Sequence, residues 1–238
     1  ASLPDNGDTV DLIIEYQSQL IDGTILTIQL ALVSLILAVI LGLLGAWAKL
    51  SSNRLAQSAA NVYTTVVRGV PDLVLILLVF YGGQVALNAL GDSTGLWGYV
   101  DVDQFTAGAG TIGVIFGAYY TETFRGALMA IPSGQIEAGI SCGMPRSVLF
   151  RRILWPQMVR YALPGFTNNW LVQLKTTALV SVIGLQDLVY NAFTAGRTTD
   201  QLFTFMGAAF VIYLILTAVS DVALRLLNQH YSRGIVRV

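Results

Sequence analysis

The chain has 238 residues, of which 55% are hydrophobic and only 11% charged, with a mean hydropathy of +0.66; soluble domains carry about a quarter charged residues, so this composition argues against a water-soluble fold. Thirteen Lys and Arg against 14 Asp and Glu give a net charge of −1, which excludes a basic nucleic-acid surface. A single cysteine, Cys142, and a single histidine, His230, exclude an intrachain disulfide and a thiolate metal cluster and leave no Cys–His or Ser–His constellation.

Five apolar runs follow one another along the chain. Gly23 to Ala48 is 26 residues without a charge, Leu73 to Gly91 is 19, and Phe105 to Thr121 is 17, with the apolar pattern continuing to Ile131. Tyr161 to Gln186 is 26 residues broken only by Lys175, and Gln201 to Ser220 is 20. A helix rising 1.5 Å per residue needs about 20 residues to cross a hydrocarbon core. The runs predict an all-α integral-membrane protein with about five transmembrane helices.

The segment before the first run is acidic, unlike the basic start of a signal peptide. Within it, Ile13, Tyr16 or Gln17, and Leu20 recur at helical spacing, which predicts a short helix over 9–22 lying on the outer interface, the alternative being a frayed leader. After span 1, residues 55–67 are helix-compatible and lead to Arg68-Gly69-Val70-Pro71, where the proline breaks the helix. Span 2 runs to about Leu90, an acidic outer loop covers 91–104, and span 3 ends near Ile131. The longest inner segment, Pro132 to Pro156, reads as helix, turn at Gly143-Met144-Pro145, helix. Span 4 follows, bent near Pro164; residues 184–200 form a short outer helix; span 5 ends in a basic tail. The organisation is an outer segment 1–23, a transmembrane domain 24–229 with its loop 132–156, and a tail 230–238.

Charge sets the expected orientation. With the N-terminus outside, the inner segments hold Lys49, Arg54, Arg68, Arg125, Arg146, Arg151, Arg152, Arg160, Arg225, Arg233 and Arg237, and the outer segments hold only Arg197. That asymmetry satisfies the positive-inside rule, with the C-terminus cytoplasmic. Trp97, Tyr99 and Trp155 suit interfacial anchors.

Gly108-Ala109-Gly110-Thr111-Ile112-Gly113 matches G-x-G-x-x-G, but it lies inside span 3 and follows no strand; with Gly117 it reads as a helix-packing stripe. No G-x-x-x-x-G-K-[ST] occurs, so any ATP that drives this chain is bound by another subunit. The inner loop carries the most specific pattern. Glu137-Ala138-Gly139, three residues, Gly143, nine residues and Ile153-Leu154-Trp155-Pro156 resemble the Glu-Ala-Ala loop of ABC importer permeases. Gly139 stands where that family has a second Ala, and Trp155 where it has Leu.

The resemblance spreads over nearly the whole chain. Arg68-Gly69-Val70-Pro71, Tyr120 to Ala127, Ile131 to Ala138, and Asn169 followed by Lys175 to Ser181 are similar to the polar amino-acid permeases, most of all to the histidine/lysine–arginine–ornithine type. It implies the type I ABC importer permease fold with cytoplasmic coupling helices, in a bacterial inner membrane. It implies a second, related permease subunit, two ABC ATPase subunits that bind ATP and Mg, and an extracytoplasmic amino-acid-binding protein. The chain itself is expected to hold no cofactor and no metal and to catalyse nothing. Glu137, Ala138, Gly143, Arg146, Ile153 and Pro156 are the expected ATPase-coupling residues. The rival reading is a secondary carrier or channel acting without ATP.

Ionisable groups within spans are costly and mark functional paths. Asp72 lies about 27 Å along span 2 from Leu90, and Glu122 about 26 Å along span 3 from Phe105, so both carboxylates reach similar depth. An acidic pair there suits the side chain of a cationic amino acid, and Lys175, roughly 15 Å inside span 4, suits its carboxylate. Structural readings stand beside these: Asp72 capping span 2, Glu122 pairing with Arg125, and Lys175 pairing with Asp187 or Glu122. Gln84, Asn168, Asn169 and Gln173 are expected to bond helix to helix, Arg68 to reach the inner headgroups, Cys142 to be a small packing residue, and His230 to be solvated.

Overall fold

A computed structural model of the chain describes residues 6–231, with side chains from residue 11 onward except that of His230. The expectations placed on the basic tail beyond Tyr231 and on His230 lie outside the described residues. All regular elements among the described residues are helical: α1 (Asn6–Glu15), α2 (Gln17–Leu50), α3 (Arg54–Gly69), α4 (Asp72–Leu77), a π-helical turn (Leu78–Gly82) and α5 (Gly83–Thr94) come first. Then follow α6 (Gln104–Met129), α7 (Ser133–Ser141), α8 (Arg146–Leu149), a second π-helical turn (Phe150–Leu154) and α9 (Trp155–Thr176). A 3₁₀ stretch (Thr177–Ile183), α10 (Leu188–Thr198) and α11 (Leu202–Tyr231) complete the order.

Three helices are long and apolar enough by themselves to cross a membrane: Gln17–Leu50, Asp72–Thr94 and Leu202–Gln229. The pair Arg146–Ile183 and Leu188–Thr198, bent by 52°, makes a fourth if it is one span. The fifth expected crossing, α6, has 26 residues but is diluted by glycines, hydroxyl residues, Glu122 and Arg125. The sequence count of five therefore rests on admitting α6 by length.

Alpha-2 shows how the chain packs. Its buried face runs Gly23, Thr27, Leu30, Ala31, Ser34, Ala38, Gly42 and Ala46 at steps of three and four, whereas Ile25, Leu32, Ile36, Ile40, Leu44 and Trp47 are exposed. Small residues inside and large apolar residues outside is the pattern of a helix whose solvent on one side is lipid. The small residues are required by close approach: a Cβ on Gly42 would stand 2.6 Å from Tyr120 Cβ. The G-x-G-x-x-G stretch of α6 works in the same way. Cβ atoms on Gly108 and Gly113 would meet Val180 at 2.7 Å and Leu37 at 2.6 Å, and one on Gly117 would meet the Tyr63 hydroxyl at 2.7 Å.

Contacts divide the chain into two compact units. The first takes residues up to Ser34, Pro71–Ile112 and Gln173–Ala218; the second takes Leu35–Val70, Gly113–Val172 and the residues from Val219 on. The first unit is built round Leu20, Leu188, Ala192, Ala195, Phe205 and Ala209, with Leu12, Ile13 and Tyr16 packed on it. The predicted helix over 9–22 is thereby corrected. Its apolar face is right, but α1 ends at Glu15, the span helix starts at Gln17, and Tyr16 meets Phe205 edge-on with ring centroids 5.5 Å apart. That face is taken by protein.

The outer loop of this unit folds back along α5. Gln84 Nε2 donates to Val100 O (2.6 Å), its Oε1 accepts from Val102 N (2.7 Å), and Asn88 holds Val100 through both its amide groups. Gln84 thus binds a loop backbone, where the sequence reading expected it to join two helices. Gln173 does join helices, donating to Ser34 Oγ of α2 at 3.0 Å.

Candidate functional site

The second unit presents the 132–156 loop as a hairpin. Pro132 starts α7, and the chain leaves it through Gly143 at φ 73°, a left-handed conformation that costs an L-residue with a side chain about 1–2 kcal/mol. Pro145 then precedes α8, which passes through the π-helical turn into α9 without a loop. The two arms are locked together. Gly139 is buried against the tip of Leu149, and a Cβ there would also meet Ile153 at 3.2 Å. Gln157 Nε2 of α9 donates to Gln135 Oε1 of α7 at 2.6 Å. The sequence departure at Gly139 has its reason here: the small residue admits the second arm.

The remaining face of α7 is open. Gln135, Glu137, Ala138, Ile140 and Ser141 are exposed, as are Gly143 and Arg146, while Ile153 is half-buried and Pro156 exposed. An exposed isoleucine beside an exposed glutamate on a short rigid helix is a surface shaped for a partner groove. Cys142 is exposed at the end of this helix, which corrects its expected packing role.

The hairpin is tied to the long helices of the same unit. Alpha-6 leads into it through buried Ile131. Further along α9, Asn169 Nδ2 donates to Thr123 Oγ1 of α6 at 3.0 Å, and a Cβ on Gly165 would stand 2.9 Å from Thr123 Cγ2. Pro164 sits within α9, which runs on to Thr176.

Glu122 lies in this unit, on α6. Its Oε1 accepts from Lys49 Nζ at 2.5 Å and its Oε2 from Arg125 Nε at 2.9 Å. Lys49 also donates to Thr64 Oγ1 at 2.6 Å. The i, i+3 pairing with Arg125 is present as foreseen, but the second cation, Lys49, 73 residues away in sequence, was read only as a basic flank. Nothing local in the sequence marks that pair. The cleft of about 350 Å³ beside it is walled by Lys49, Thr64, Thr65, Arg68, Tyr119 and Glu122, and the Arg68 guanidinium lies 5.2 Å from the centre of the Tyr119 ring.

Asp72 and Lys175 belong to the first unit. Asp72 is the first residue of α4, half-buried; it makes no capping hydrogen bond, and its carboxylate is bonded to no described residue. Lys175 is exposed in the last turn of α9, in none of the ion pairs of the described residues. The pairings considered for it are not formed: Glu122 is taken by two other cations, and Asp187 caps α10 by accepting from Tyr190 N at 2.9 Å. Asp72, Glu122 and Lys175 share no hydrogen bond with one another. No group of three or more His, Cys, Asp or Glu among the described residues has a metal-holding arrangement.

Comparison with known proteins bears on this arrangement. Residues 38–233 match the model of a family described as binding-protein-dependent transport system inner membrane component. The histidine/lysine/arginine/ornithine transport system permease protein HisQ of Escherichia coli (strain K12) is 50% identical over 222 residues, 93% of this chain and 97% of that protein. The octopine transport system permease protein OccQ of Rhizobium radiobacter is 42% identical over 90% of this chain and 91% of its own length. A chain of a solved amino acid ABC transporter, crystallised with histidines, superposes with a TM-score of 0.80 at 29% identity, over 96% of this chain and all of that one.

Proposed function

Because the chain belongs to the family of binding-protein-dependent transport system inner membrane components, we propose that it is the permease subunit of an ATP-driven importer of cationic amino acids, working with a second permease, two ATPases and an external binding protein. The observation that carries the reading is the locked hairpin α7–Gly143–α8, exposed on one side and continuous with α9 on the other. The substrate class is supported by 50% identity to a histidine/lysine/arginine/ornithine permease.

In this reading the N-terminus is outside, and the hairpin faces the cytoplasm, where Glu137, Ala138, Gly143 and Arg146 meet an ATPase. ATP shifts the permease only if the closed ATPase pair prefers one permease conformation. The hairpin moves as one piece because Gly139–Leu149 and Gln157–Gln135 tie its arms. Its displacement tilts α6 and α9 together through Thr123, Asn169 and Gly165. ATP and Mg stay in the partner subunits.

Charged groups within the spans line the path. Asp72, a carboxylate hydrogen-bonded to no described residue, attracts the cationic side chain, and exposed Lys175 takes the α-carboxylate. Glu122 acts through the two cations that it holds in place. The test is ATP-dependent uptake by the complete importer in proteoliposomes: labelled arginine is taken up and leucine is not. Uptake of arginine by vesicles holding this chain alone would instead favour the secondary carrier.

A further inference from the structure

The cleft beside Glu122 has the wrong charge for a cation. Both oxygens of Glu122 are occupied, one by Lys49 and the other by Arg125, so the triad carries a net formal charge of +1. Arg68 adds a second positive charge. Lys49 and Arg68 stand in the last turns of α2 and α3, whose C-terminal ends contribute roughly half a negative charge each. Even with both subtracted in full, about one positive charge remains.

The donors are also unspent. Lys49 has three N–H groups and uses two, on Thr64 and Glu122. Arg68 has five, is exposed, and donates to no described residue; its guanidinium lies over the face of the Tyr119 ring. A guanidinium placed over an aromatic face keeps its N–H edge available, the edge that takes two oxygens of a carboxylate or phosphate side by side. That unspent edge, a spare ammonium proton and a cleft of about 350 Å³ are the parts of an oxyanion site.

We propose that the cleft of Lys49, Thr64, Thr65, Arg68 and Tyr119 binds an oxyanion, with Arg68 gripping it and Glu122 positioning Lys49. Two sources supply that chemistry: the α-carboxylate of an amino acid held here at a second position, other than the one given to Asp72 and Lys175, and the phosphate of a membrane lipid. The site does not depend on the transport reading, since the phosphate of an anionic lipid fits it without any substrate, and its test is therefore a binding measurement.

The full-length chain is placed in nanodiscs of phosphatidylcholine and dialysed against labelled arginine, with agmatine, which lacks the carboxylate, as competitor. In parallel, nanodiscs containing phosphatidylglycerol are analysed by native mass spectrometry for retained lipid. The wild-type chain holds at least one of the two. Arg68→Gln, which leaves the Lys49–Glu122–Arg125 triad intact, lowers that occupancy about tenfold, the loss of one charge-assisted bond. Arg54→Gln, at the far end of the same helix, changes it less than about twofold. Arginine retained and not displaced by agmatine identifies the amino acid as the source; phosphatidylglycerol retained identifies the lipid. Binding of neither ligand to the wild type, unchanged occupancy of the retained ligand in Arg68→Gln, or equal displacement of arginine by agmatine with no phosphatidylglycerol retained would overturn the proposal.

Discussion

Gly139 of α7 lies against the tip of Leu149 of α8, and a side chain at position 139 fits between the two arms of the hairpin only if Leu149 moves. This contact makes two short helices of nine and four residues, neither stable alone, into one rigid projection. Gly139→Leu should push the arms apart. In the complete importer, uptake falls at least about tenfold while ATP hydrolysis persists, and the ratio of amino acid moved to ATP hydrolysed measures the loss. Gly139→Ala is milder, because Leu149 can turn away.

The same projection depends on the turn. Gly143→Val places a β-branched residue at φ 73°, costing about 1–2 kcal/mol, and redirects the hairpin. Glu137→Lys reverses the charge on its exposed face without touching the fold. Both variants should assemble in the membrane and lose transport-linked ATP hydrolysis; full activity in either would remove that residue from the coupling surface.

Glu122→Gln removes the charge that neutralises Lys49, whose side chain is only 8% exposed. The amide oxygen of the variant can still accept from Lys49, but a largely buried ammonium without its counter-charge costs about 2–3 kcal/mol. The purified variant should melt several degrees lower, and Lys49→Met with Glu122→Gln should recover part of the loss by removing both charges. A variant as stable as the wild type would mean that the pair is not formed.

Asp103 caps α6, accepting from Thr106 N at 2.7 Å and from Thr106 Oγ1 at 2.8 Å. These bonds, the backbone one foremost, hold its carboxyl below the usual Asp range. A lowered pKa in the folded state means stability that is present above the ordinary Asp pKa and is lost as pH falls through the folded value. Asp103→Ala should cost about 1 kcal/mol at neutral pH and nothing in strong acid, so that the melting curves of variant and wild type converge on acidification.

Asp72→Asn should weaken uptake of arginine-like substrates by the complete importer and spare assembly. Because Asp72 is half-buried and bonded to no described residue, its loss leaves no partner stranded. The KM for arginine should rise about tenfold with kcat little changed; unchanged kinetics would reject the role.

Much of this was legible in the sequence because the signals are local. Charge-free runs mark spans, Pro71 and Gly143 mark breaks, and the spacing from Glu137 to Pro156 marks a hairpin, which the structure forms with its turn at Gly143. The departure at Gly139 was visible, but its reason was not, since that reason is a side chain ten residues on. Lys49 shows the limit more sharply. Its partner lies 73 residues away, and a lysine at the end of an apolar run looks the same whether it meets water, lipid or a carboxylate. Gln84 was misassigned for a related reason: a polar residue in a helix reveals that it needs a partner and leaves open whether the partner is another helix or a returning loop. The π-helical turns at Leu78–Gly82 and Phe150–Leu154 have no local signature, because they differ from α-helix by one hydrogen-bond register.

The sole cysteine of the chain, Cys142, is exposed at the end of α7 and offers the most direct test of the coupling hairpin. Inside-out membrane vesicles are treated with a membrane-impermeant maleimide, with and without the ATPase subunits co-expressed. Labelling should be rapid in their absence and strongly suppressed in their presence. Equal labelling in both, or labelling only in right-side-out vesicles, would contradict the claim that this hairpin seats in a cytoplasmic ATPase.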